Sequence, residues 1–132
     1  MTAKTNFLED RILDRVLRNN ADFAYTFPSS VYVALFTSDP GESGSLAGEV
    51  SGGSYARQLV AFSAVSSGST SNSGALTFPV ATASWGTITH VGIMDALTSG
   101  NVLYYGALGT SKTVGLGDQL SFAIGTLSVT EA

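Results

Sequence analysis

The chain has 132 residues, of which 44% are hydrophobic and only 12% charged, with 15 glycines, no cysteine and a net charge of −4. That length suits one domain, and the charged fraction is about half that of an average soluble protein. Without cysteine, disulfide and thiolate chemistry are excluded. Four of the six basic residues (Lys4, Arg11, Arg15 and Arg18) precede position 19, leaving Arg57 and Lys112 against seven acids: Asp22, Asp39, Glu42, Glu49, Asp95, Asp118 and Glu131. The body therefore lacks the Lys/Arg patch that nucleic acid requires.

The opening MTAKTNFLEDR becomes charged too soon for a secretory signal. An uncharged run over 58–94 is interrupted by SSGSTSNSG, Pro79 and Trp85-Gly86-Thr87, so it is no membrane span. These features describe a soluble protein made in a cytosol, with no membrane partner.

Residues 6–18, NFLEDRILDRVLR, form the one convincing helix. Asn6 stands where a cap belongs, and Glu9 is placed to reach back in a capping box. Leu8, Ile12 and Val16 make an i, i+4, i+8 ridge that Leu13 and Leu17 widen. Arg15 and Arg18 suit the negative end of the helix dipole. The apolar period then changes. VYVALF (31–36) is a strand that ends at Ser38-Asp39-Pro40-Gly41. DPGESGSLAGEVSGGS (39–54) and SAVSSGSTSNSG (63–74) read as flexible loops, with strand character in YARQLVAF (55–62) between them.

ALTF (75–78) is a strand stopped by Pro79, and TITHVGIM (87–94) pairs through a Ser-Gly-Asn turn with VLYYGAL (102–108). Alternation places Ile88, His90, Gly92 and Met94 on one face and Thr87, Thr89, Val91 and Ile93 on the other. In DQLSFAIGTLSVT (118–130) the apolar phase runs through Leu120, Phe122 and Ile124, then slips to Leu127 and Val129, which predicts a β-bulge at Gly125. The fold class is mainly β. A small antiparallel sandwich or barrel of about six to eight strands occupies 31–130, with one N-terminal helix, in a single domain over 1–132.

Catalytic signals are weak. Ser84, His90 and Asp95 have the residue types of a triad, but no strained Gly-x-Ser-x-Gly turn presents the serine. One histidine and no cysteine cannot make an ordinary zinc site, and Asp39, Glu42 and Glu49 match no calcium-loop spacing. Trp85 with Tyr104 and Tyr105 suggests either a sugar-stacking platform or sheet packing. No metal, cofactor or catalytic residue is assigned. The expectation is a protein that works by shape and contact.

The succession NFLEDRILDRVLRN, VYVALFTSDPGE, GGSYARQ, FPVATASWGTITHVGIMDA and SKTVGLGDQLSFAIGTLSV resembles a family of small proteins of tailed bacteriophages and prophages that carry the label "phage tail fibre protein". The likeness spans nearly the whole chain. It implies a structural virion component without catalytic residues, made in the bacterial cytoplasm and carried on the outer surface of the particle. A compact chain has neither the long shaft nor the stalk of a receptor-binding fibre. The expectation is therefore a head decoration, or cement, protein that binds the major capsid protein as a homotrimer. The alternative is a tail fibre or tail-tip component, or a carbohydrate-binding adhesin domain. The contact residues expected on that basis are Leu8, Arg11, Arg15 and Arg18 on the helix, with Glu42, Glu49, Tyr55 and Arg57 in and after the first loop.

Overall fold

A computed structural model describes residues 3–19 and 25–131. In chain order the elements are β1 (Ala3–Lys4), α1 (Asn6–Leu17), β2 (Val31–Phe36), β3 (Gln58–Val60), β4 (Ser69–Ser71), β5 (Leu76–Thr77), β6 (Gly86–Met94), β7 (Val102–Val114), β8 (Ser121–Phe122) and β9 (Ser128–Thr130). The protein is mainly β with one N-terminal helix. Its strands form an antiparallel five-stranded sheet ordered β1-β7-β6-β2-β3 and two two-stranded ladders, β4-β9 and β5-β8. The described residues hold nine strands against the expected six to eight, because β1 and β4 are too short to show a period in sequence and 118–130 divides into β8 and β9.

The uninterrupted apolar run of β2 is explained by the covering of both faces of the large sheet. One face sends Val33, Leu35, Ile88, Val91 and Ile93 into a core completed by Phe78, Trp85, Leu120, Phe122, Leu127 and Val129. The other sends Ala34, Phe36, Met94 and Val102 into a smaller cluster flanked by Tyr32, Leu46 and Tyr105. The short ladders and the segments around them thus form the second layer of a small sandwich.

Three expectations are corrected. First, the helix cap is Thr5, whose Oγ1 accepts from Leu8 N at 3.4 Å and donates to Val102 O at 2.6 Å. Asn6 lies inside the helix because β1 draws the preceding residues into the sheet, where Thr5 N donates to Leu103 O. Second, 118–130 is not one bulged strand. Leu76 pairs with Phe122 and Thr70 with Val129, so the slip at Gly125 is a turn between strands serving different partners. Gly125 has φ +79°, a left-handed conformation suited to glycine. The buried Asn72 fixes that turn, accepting from Leu127 N at 2.9 Å and donating to Gly74 O and Ala123 O.

Third, the irregularity lies in β6. Its register with β7 jumps between Ile88↔Lys112 and His90↔Ala107, so four residues of β7 stand opposite Thr89. The jump reverses the side-chain phase. Ile88 therefore joins Val91 and Ile93 in the main core, away from His90 and Met94.

The segments read as flexible loops are built from hydrogen-bonded turns. In 39–54, Asp39 Oδ1 accepts from Gly41 N, Thr37 N donates to Gly48 O, and Val50 N donates to Leu35 O, which buries Val50. In 63–74, Ser66 and Ser69 exchange backbone hydrogen bonds ahead of β4.

Candidate interaction surface

The residues that suggested catalysis are kept apart by β6. Ser84 precedes this nine-residue strand and Asp95 follows it, which separates them by about 35 Å at the rise of an extended chain. Each has a local partner instead. Ser84 Oγ accepts from Gly86 N, and Asp95 accepts from Asn101 N, Asn101 Nδ2 and the Tyr25 hydroxyl. His90 Nδ1 lies 2.8 Å from Thr89 Oγ1, and its Nε2 is 3.9 Å from Asp39 Oδ2.

The aromatic residues do not make a common platform. Trp85 is 4% exposed, and its Nε1 donates to Gly53 O at 2.8 Å. It packs edge-on against Tyr55 and Phe78. Gly53 has φ +60°, and a Cβ there would meet Trp85 Nε1 at 2.9 Å, so both the backbone and the close approach require glycine. Tyr104 packs on the main core and Tyr105 on the smaller cluster, on opposite faces of the sheet. The Tyr104 hydroxyl donates to Glu131, which Lys4 also holds at 2.6 Å.

Three of the expected contact residues are used inside the molecule. Arg57 is 5% exposed. Its Nε and Nη2 grip both oxygens of Glu49 at 2.7 and 2.8 Å, while Nη1 donates to Ala96 O and Ser99 O. The Tyr55 hydroxyl donates to Glu49 Oε2 and accepts from Leu35 N. One ion pair thus ties the loop, the approach to β3 and the turn between β6 and β7 together. Hydrogen bonding to Glu49 raises the pKa of Arg57 against the opposing effect of burial. Burial pushes the Tyr55 hydroxyl well above its ordinary value, and the Glu49 carboxylate adds to that against the Leu35 amide.

Leu8 also turns inward, as the one helix residue that is buried. The first turn of α1 is docked by Thr5 and by Asn6 N donating to Glu42 O. Arg11 lies over the Phe7 ring at 5.0 Å, and Phe7 meets Tyr25 edge-on. Arg18 pairs with Asp14 at 2.9 Å, while Arg15 and the Glu42 side chain are exposed. Glu49 is committed to Arg57, so Asp39, Glu42 and Glu49 do not converge. Among the described residues no group of His, Cys, Asp or Glu is arranged to hold a metal.

Beside the exposed Asp10, Arg15 and Arg18, the outward side of α1 carries Leu13, Val16 and Leu17 at 55%, 70% and 74% exposure. They belong to the stripe visible in sequence, but periodicity alone could not show that the stripe parts after Leu8. A separate apolar cavity of ≈ 200 Å³ is lined by Val31, Phe62, Ile93, Leu103, Tyr104 and Val129, with Thr70 as its polar member. The surface therefore offers contact features, and Ser84, His90 and Asp95 are not assembled into a triad.

A family described as "Podophage GP4 fiber I protein gp80" matches residues 3–130. No curated protein matches the chain.

Proposed function

The chain belongs to this family of phage fibre proteins, and from that premise we propose that it is a non-enzymatic appendage protein on the outer surface of a tailed phage particle, held there by contact with neighbouring virion proteins. Membership of a structural virion family carries the reading, since the match extends over nearly the whole chain. The internal use of Glu49, Tyr55, Arg57 and Trp85 supports it, because these candidate reactive or sugar-binding groups serve the fold. The family description favours the tail-side placement over the head.

The second reading, a trimeric cement protein on the major capsid protein, draws on one observation. The described residues make a compact sandwich without a shaft, and their single helix has 12 residues. Copy counting in purified particles, with the chain located by cryo-electron microscopy, separates the two. The tail-side reading expects a count set by tail symmetry and density at the tail. A count approaching that of the major capsid protein, with density over the head lattice, favours cement. Absence from the particle refutes both.

A further inference from the structure

Among the described residues, one surface feature left unexplained by the fold is the outer side of α1. Its first turn is held by Thr5 and Leu8, but Leu13, Val16 and Leu17 project at 55%, 70% and 74% exposure. Their i, i+3, i+4 spacing puts them on neighbouring positions of one helix surface. Arg15 stands exposed in the last turn, followed by Arg18, whose side chain is 71% exposed even while paired with Asp14. Asp10 is exposed one turn and a half earlier. The helix thus presents an apolar ridge that becomes cationic towards its C-terminal end.

We propose that this half of α1 is the attachment element of the protein, inserted into an apolar-floored groove of a different virion protein whose rim is acidic where the helix C-terminus arrives. The inference rests on the virion-structural reading above and adds the surface and the chemistry of its partner. Area argues for a concave partner over a second copy. The three side chains together expose well under the about 800 Å² that a stable pairing buries per partner. Two such ridges laid together fall well short. A groove wraps the flanks of the helix as well, in the mode by which amphipathic helices are ordinarily recognised.

Charge points the same way. The exposed Arg15 and Arg18 guanidinium groups meet an acidic rim favourably, and charge pairing of this kind fixes the orientation of entry more than it adds affinity.

The test uses the full-length chain in assembled particles. Phage are propagated on cells supplying wild-type protein, Leu13→Asp/Leu17→Asp, Arg15→Glu or Val65→Asp, and copies per particle are counted by quantitative mass spectrometry. Val65 is 72% exposed just before the turn closed by Ser66 and Ser69, far from α1 in sequence, and serves as a control for the same chemical change. A photo-reactive amino acid at position 16 identifies the neighbour. The expected result is a loss of about tenfold or more for the double variant, with an unchanged melting midpoint. Arg15→Glu should lose several-fold, Val65→Asp should be retained, and the cross-link should fall on an acidic peptide of another virion protein. Wild-type incorporation of the double variant, or a cross-link to a second copy of this chain, overturns the inference while leaving the virion-structural reading intact. Absence of the wild-type chain from particles overturns that reading itself.

Discussion

The segment around Glu49, Tyr55 and Arg57 and the second half of α1 invert the usual distribution of side chains. In the first, a guanidinium and a carboxylate are enclosed; in the second, two leucines and a valine face outward. The enclosed charges are saturated by each other and by backbone carbonyls, so they specify how three chain segments meet. The exposed ridge has no comparable partner within the described fold. Polarity by itself therefore does not show which side chains are free for contact. What separates the two regions is whether the hydrogen-bonding and packing capacity of each side chain is already satisfied within the chain.

The contrast is broken most severely by Arg57→Ala. It leaves the Glu49 carboxylate enclosed without its cation and removes the donor to Ala96 O and Ser99 O, and should cost about 3–5 kcal/mol in urea denaturation. The double variant Arg57→Met/Glu49→Leu should lose clearly less, because no charge is stranded. A double variant as unstable as Arg57→Ala would mean that the pair is net stabilising.

A smaller effect is expected from Tyr55→Phe, about 1–2 kcal/mol, since Leu35 N loses its acceptor. The same hydroxyl sets an alkaline limit. Its pKa in the folded state lies above the ordinary value of 10.0. Its contribution is thus complete below pH 10 and is lost as pH rises from there towards the folded value. Tyrosinate absorbance should appear together with unfolding above pH 10, and Tyr55→Phe should flatten the fall in stability over that range. The smallest change is expected from Leu13→Asp/Leu17→Asp, within about 0.5 kcal/mol of wild type. A larger loss would show that the ridge is packed within the protein.

Much of the fold was legible in sequence because it rests on strong local periods. The helix, β2 and β6 stand close to their predicted positions, since each carries an apolar pattern longer than one turn or one ladder repeat. The errors share a cause in pairing over long separations. Thr89 contains nothing that announces four opposing residues, and the turn at Gly125 is set by Asn72, 55 residues before the Leu127 whose amide it accepts from. The exposed apolar side of α1 was half legible for the same reason. The helix stripe was evident, but the division between its buried Leu8 and its projecting Leu13, Val16 and Leu17 depends on where β1 and β7 place the first turn.

The pairing of β4 with β9 and β5 with β8 also orders events in time. Synthesis runs from the N-terminus, so the chain through β7 emerges with its main sheet complete but with β4 and β5 awaiting partners. Leu120, Phe122, Leu127 and Val129 come last, and they close the main core. Until then Phe78 and Trp85 stand beside an open layer, a partly formed state that is prone to associate with other nascent chains. The final strands act as the latch of the molecule. Folding should be completed as a late, single step once residues 118–131 are free.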